Sequence, residues 1–278
     1  MSNMKFSGKI IISDVDGTYT GSADGIKRNN EAIEYFKKNG GLFTFASGRG
    51  QLGSIVPEYK TLVNAPLILC NGSYVYDTFT NEKKNEICID EKLSYDILDS
   101  ICKNYPSVTV YVSCQMGYLN YSKGELNTQN GAEKVDIHKT ESTGNWNKIV
   151  LECFEDGVLG KISRYIDENA NKAYAKTFSC PVLLELLSPL ATKGNQVKYL
   201  KTLLGDVKTY CIGDYENDEN MLACADISAA PSSGLKKIVD MCTYVVCSNT
   251  EGAIAGLVEI IEKEVQNENK GKNDEIFR

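Results

Sequence analysis

Histidine is almost absent: His138 is the only one in 278 residues. Any mechanism needing two imidazoles is therefore excluded. The polar run Val135-Asp136-Ile137-His138-Lys139-Thr140 marks this one as a surface or rim residue. Basic charge is not in excess. The net charge is −7 and the sequence pI about 5.0, the reverse of a nucleic-acid-binding footprint. No run of roughly 18 apolar residues occurs, so no membrane span is expected. The N-terminus has no basic region leading into an apolar segment, so no signal peptide is expected. No C-x-x-C pair exists among the 10 cysteines, and several sit inside apolar runs such as Tyr210-Cys211-Ile212. They read as reduced thiols used as small hydrophobes in a cytoplasmic protein. No internal repeat is visible.

What is present is the composition of a soluble globular protein, 42% hydrophobic and 24% charged. The length fits one large domain or two ordinary ones. The N-terminal third alternates strand and helix signals. Residues 9–13 read as a buried strand and 26–39 as a helix stopped by Gly40-Gly41. Residues 42–46 and 66–70 read as further short apolar strands, the second followed by the Asn71-Gly72 turn signal. From about 80 to 187 the strands alternate instead (109–113, 148–152, 182–187), with helices at 94–104 and 156–168 between them. The βα rhythm then returns, with helices at 193–204, 216–225 and 250–263 and strands at 207–212, 226–230 and 244–247. The polar tail, 267–274, is expected to fray. The predicted fold is an α/β, Rossmann-like three-layer core with a central parallel sheet, plus an inserted α+β domain. Residues 1–80 and 188–278 form the core, and 81–187 the insert.

Four stretches carry candidate chemistry, each at a strand end or helix start, where open α/β sheets bind ligands. In Asp14-Val15-Asp16-Gly17-Thr18, two carboxylates can reach one pocket, one to attack phosphorus and the other to exchange a proton. A capped turn is the plainer alternative. An EF-hand is excluded, because the twelfth loop position is Gly25 and not glutamate. Ser47 can hydrogen-bond a phosphoryl oxygen, with Gly48 and Arg49 as candidate substrate contacts; an ordinary Ser-Gly turn fits too. Lys193 opens a helix, at the positive end of the dipole, where an ammonium is poorly placed unless it offsets phosphate or carboxylate charge. It also fits a solvated surface lysine. In Gly213-Asp214-Tyr215-Glu216-Asn217-Asp218, Asp214 ends a strand and Asp218 follows four residues later. More carboxylates beside Asp14 and Asp16 call for a cation, and an oxygen-rich site suits Mg²⁺. An acidic helix cap is the alternative.

Together DVDGT at 14–18, ASGR at 46–49, TKG around Lys193 and GDYEND at 213–218 resemble the motifs of haloacid dehalogenase superfamily phosphatases. The Cof-type branch, with its large inserted cap, is the nearest pattern, over about residues 8–262. The resemblance implies Asp14 as nucleophile forming an aspartyl-phosphate. It implies Asp16 as general acid/base, lending its backbone carbonyl to Mg²⁺. Asp214 would be a metal ligand, with Asp218 supporting the metal directly or through water. Ser47, Lys193 and Asn217 would hold the phosphoryl group. Tyr19, where the family has an apolar residue, and 229–234, where it has a glycine-containing stretch, depart from the pattern without replacing a catalytic position. The implied activity is phosphate release from a small phosphorylated metabolite, a sugar phosphate or a nucleotide-derived cofactor. A phosphomutase of the phosphomannomutase type and a phosphate-responsive binding protein are the rival readings. The cap would close over the site, hinged near 78–82 and 186–192, with Tyr118–Lys123 or Glu185 as candidate contacts. A monomer or small homo-oligomer is expected.

Overall fold

The computed structural model describes residues 4–50, 55–114, 117–122, 144–170 and 172–276. His138 and Lys123 lie outside the described residues. In chain order the elements are β1 (Lys9–Ser13), α1 (Ala23–Lys38), β2 (Leu42–Phe45), α2 (Ile55–Tyr59), β3 (Leu67–Leu69), β4 (Tyr74–Asp77) and β5 (Glu82–Lys84). Next come α3 (Glu91–Asn104), β6 (Thr109–Cys114), β7 (Gly117–Asn120), β8 (Lys148–Glu152), α4 (Val158–Asn169), β9 (Ala175–Cys180) and β10 (Leu183–Leu187). The chain ends with α5 (Lys193–Leu204), β11 (Lys208–Ile212), α6 (Glu219–Cys224), β12 (Ile227–Pro231), α7 (Lys236–Met241), β13 (Tyr244–Val246) and α8 (Ala253–Ile276).

A five-stranded parallel sheet in the order β13-β12-β11-β1-β2 carries the chain's βα units. Four of its strands, β1, β2, β11 and β12, are largely buried on both faces, which is why they read as apolar runs rather than alternating ones. Ile11, Phe43, Phe45, Tyr210 and Ile212 pack against Ile33 and Phe36 of α1 and Ile254, Leu257 and Ile261 of α8. Ile10, Ile12 and Cys211 point the other way, onto Val197 and Leu200 of α5, Met221 and Leu222 of α6 and Ile238 of α7. This period-two division of β1 makes the three layers.

Two predictions are corrected. The strand at 66–70 does not simply extend the parallel sheet. It touches β2 through a single parallel bridge, Ala46 to Ile68, and forms its own antiparallel sheet β3-β4-β5. The tail expected to fray continues α8 to Ile276. A helix satisfies most of its backbone groups internally, in a polar segment as in an apolar one.

A second five-stranded sheet, antiparallel, has the order β7-β6-β8-β10-β9. One face, with Val110, Val112, Leu119, Ile149, Leu151, Leu184 and Leu186, packs against Ile97, Leu98 and Ile101 of α3 and Leu159, Ile162 and Ile166 of α4. The register puts Tyr111, Ser113, Lys148, Val150 and Glu185 together on the opposite face. That face is rich in polar side chains, yet these residues are buried. Nine cysteines, Cys70, Cys88, Cys102, Cys114, Cys153, Cys211, Cys224, Cys242 and Cys247, are free thiols. No helix among the described residues is long and apolar enough to cross a membrane.

Candidate active site

The exits of β1 and β11 are tied together, because the Asp14 N–H donates to the carbonyl of Ile212 at 2.9 Å. Asp14 thus leaves the sheet beside the segment bearing Asp214. The chain then makes one irregular turn, Val15–Tyr19, closed by the Thr20 N–H on the Val15 carbonyl. Gly17 lies in it at φ 89°, where an L side chain is strained. A Cβ there would sit 2.3 Å from Asp214 Oδ2. Gly17→Ala is therefore expected to displace the Asp214 carboxylate and to cost about 1–3 kcal/mol of stability. Denaturant unfolding with and without a divalent cation checks both effects; an unchanged midpoint and unchanged cation response would refute the account.

Lys193 is fully buried at the start of α5, although lysine is among the residues most rarely buried unless paired. Its Nζ donates to Asp14 Oδ1 at 2.5 Å and to Asp218 Oδ1 at 2.7 Å. The second Asp218 oxygen accepts the backbone N–H groups of Asp214 and Tyr215, at 3.1 and 3.3 Å. Gly213 makes room for this carboxylate: a Cβ there would lie 2.5 Å from Asp218 Cγ. Burial alone would lower the Lys193 ammonium. Asp14 and Asp218 outweigh it and hold its pKa above the ordinary lysine value.

Carboxylate oxygens of Asp14, Asp214 and Asp218 all lie within 4.8 Å of one another. Burial pushes the Asp14 carboxyl up, Lys193 pulls it down, and Asp218 pushes it up again; the net direction is well upward. Asp214 is pushed up to about 6, first by burial, partly offset by a 2.7 Å hydrogen bond from Thr18 Oγ1, and raised further by Asp218. One ammonium thus faces three carboxylates in a largely dry site. The surplus negative charge and the all-oxygen donor set fit a hard divalent cation.

Asp16 stands apart. Its side chain is 59% exposed and meets Arg49 through two hydrogen bonds, Nε to Oδ2 at 3.1 Å and Nη2 to Oδ1 at 2.5 Å. Its carboxylate does not belong to the three-acid cluster. Ser47 is buried after β2, its Oγ accepting the Arg49 N–H at 3.1 Å. Gly48 packs against Asn71: a Cβ on it would lie 3.1 Å from Asn71 Oδ1. Asn217 donates Nδ2 to that same Asn71 oxygen, also at 3.1 Å.

Three residues went unrecognised in the sequence or were given no definite place in the site. Thr18 holds Asp214, Asn71 holds Asn217, and Lys148 reaches the carbonyl of Gly48 at 2.9 Å. Asn71 read only as a turn former. Its positive φ, 54°, bears that out, but its carboxamide is also in use. Glu185, named among several candidate contacts, donates nothing and accepts from both Asn71 and Lys148.

A Rossmann-like sheet with this acid–lysine cluster at its strand ends defines a haloacid dehalogenase-type phosphatase, of the Cof type. The chain belongs to the haloacid dehalogenase-like hydrolase family, whose pattern matches residues 11–258. It is 23% identical over 266 residues to the Bacillus subtilis protein named "Putative phosphatase YxeH", covering 89% of this chain and 96% of that one. A haloacid dehalogenase-like hydrolase from Bacteroides thetaiotaomicron superposes with a TM-score of 0.79 at 20% identity, over 91% of this chain and 99% of that one. The HAD subclass IIB sugar phosphatase BT4131 superposes with a TM-score of 0.76 at 16% identity, over 90% and 98%.

Proposed function

We propose that this phosphatase is Mg²⁺-dependent, forms an aspartyl-phosphate on Asp14 and acts on a small sugar phosphate. The observation that carries the reading is the fully buried Lys193, bonded to two of three clustered carboxylates. Asp14, Asp214 and Asp218 would hold the cation, with Asp16 adding its backbone carbonyl. Mg²⁺ would supply positive charge against the phosphoryl oxygens.

In this reading Asp14 attacks phosphorus and the ester oxygen departs with a proton from Asp16. Water then attacks the acyl phosphate, giving its proton back to Asp16, and inorganic phosphate leaves. Lys193 keeps Asp14 aimed and offsets charge on the phosphoryl group. The Ser47 hydroxyl and the Asn217 amide donate to that group's oxygens. Asp16 now meets Arg49, so its acid role requires that contact to open; Gly48 and Arg49 then lie where the substrate enters.

We place the cap between a first crossing near 85–90 and a return near 188, because β5 pairs with β4 and not with the second sheet. The sugar assignment rests on the polar face of the antiparallel sheet, where Tyr111 and Ser113 offer hydroxyl groups to a hydroxyl-rich leaving group. The relative BT4131, a sugar phosphatase on the same fold, agrees with it. Free thiols favour a reducing compartment, the cytoplasm.

Release of phosphate from p-nitrophenyl phosphate should disappear in EDTA and return with Mg²⁺. Added Mg²⁺ should also raise the melting temperature, and Asp214→Asn should blunt that rise. Hexose 1-phosphate should yield inorganic phosphate; net isomerisation would instead make the chain a mutase. Full activity in EDTA with no thermal response to Mg²⁺ would end the metal assignment.

A further inference from the structure

Two buried charges on the antiparallel sheet face the core with no role yet in the chemistry. Lys148 opens β8 and Glu185 lies in the middle of β10. Their ion pair spans 2.6 Å, with both side chains less than a tenth exposed. A buried pair of this kind is weak evidence for stability, because desolvation offsets much of the attraction. Its partners on the core are more informative. Lys148 Nζ donates to the Gly48 carbonyl at 2.9 Å, beside Ser47. Glu185 Oε2 accepts Asn71 Nδ2 at 2.7 Å, and Asn71 Oδ1 accepts Asn217 Nδ2 at 3.1 Å. A continuous relay therefore runs from the second sheet to the turn after β11.

The charge gives that relay a direction. A carboxamide has one donor end and one acceptor end. An ionised Glu185 only accepts, so it draws the Asn71 nitrogen and leaves the Asn71 oxygen facing Asn217. That oxygen in turn draws the Asn217 nitrogen. The orientation of Asn217, including where its second N–H points, is thus set by a carboxylate on another sheet. Lifting that sheet from the core would break the Glu185–Asn71 bond and free both amides to flip.

We propose that Lys148 and Glu185 are positioning residues that orient the Asn217 amide through Asn71, so that it meets the phosphoryl group only when the cap is seated. The inference rests on the reading of Asn217 as a phosphate ligand. The measurement is kcat and KM for p-nitrophenyl phosphate and several hexose phosphates, in single variants and in the Asn217→Ala background. Asn217→Ala is expected to lower kcat by about 10²-fold, the scale for losing one transition-state donor. Glu185→Gln, Lys148→Met and Asn71→Gly should each lower kcat by about tenfold, by the same factor for every ester, because the leaving group is not what they touch. Combined with Asn217→Ala, each should add nothing further.

A loss that persists in the Asn217→Ala background, or that changes with the leaving group, would mean the pair contacts substrate and would overturn the inference alone. An Asn217→Ala enzyme with unchanged kcat would remove the phosphate role of Asn217 and the inference with it, while the Asp14→Asn variant still reports the phosphatase reading. Asn71→Gly keeps the experiment decisive if a charge variant fails to fold. It removes no charge, and glycine adopts the backbone φ of 54° at that position without strain.

Discussion

Asp14→Asn is expected to abolish phosphate release while leaving the protein folded and no less stable. The nucleophile of the proposed reaction is lost, and the drop for removing such a group is about 10⁴-fold or more. Stability should move the other way. Asp14 sits in a buried cluster where burial and Asp218 both disfavour its charge. Asparagine has nearly the same shape, and its oxygen can still accept from Lys193, which donates to Asp14 Oδ1 at 2.5 Å. One of three mutually repelling carboxylates is removed. Such trade-offs between activity and stability are common where an active site concentrates like charge. Single-turnover assays with p-nitrophenyl phosphate and thermal unfolding of the same preparation check both halves. Retained turnover would sink the assignment of Asp14, and a collapse in stability would show that the cluster holds the fold together rather than straining it.

The parts of the fold that were legible in the sequence are those with large apolar contrast. β1, β8 and α5 appear at the residues expected, because Lys9–Ser13 and Lys148–Glu152 are short apolar runs and Thr192 caps a helix opened by Lys193. Elements without that contrast were missed. β5 is Glu-Lys-Lys and depends on pairing with β4, a tertiary contact that local pattern does not encode. α7 buries only Ile238 and α2 only Ile55 and Tyr59, too little for a periodic signal. The site divides in the same way. Asp14, Ser47 and Asp214 follow strands, and a strand end is visible as the point where an apolar run stops. Asn71 was hidden by its own strong turn signal. Lys148 and Glu185 left a fainter mark. In Leu183-Leu184-Glu185-Leu186-Leu187 a lone carboxylate interrupts a run otherwise apolar on both faces, which implies a buried partner, although sequence alone does not say which one.

Lys193→Met should be the most destabilising single change in the site. The lysine is fully buried, and its side chain is the cation that two buried carboxylates share. Methionine fills the same volume but leaves the Asp14 and Asp218 carboxyl groups dry and without the cation they share. Breaking a buried ion pair from one side costs about 3–5 kcal/mol. For a chain of this size that corresponds to a melting temperature lower by about 10 °C. Activity should vanish as well, since Asp14 loses the contact that aims it. A second substitution separates the two effects. In Lys193→Met combined with Asp218→Asn, the Asn oxygen can still take the Asp214 and Tyr215 N–H groups that now bond Asp218 Oδ2. Its amide nitrogen replaces the oxygen that faced the lysine, so one buried negative charge disappears. The double variant should therefore recover a measurable part of the lost stability and none of the lost activity. Strictly additive losses would mean that Lys193 and Asp218 do not interact energetically, contrary to their 2.7 Å contact. Recovered activity would mean that the ammonium serves only the fold and takes no part in holding phosphate.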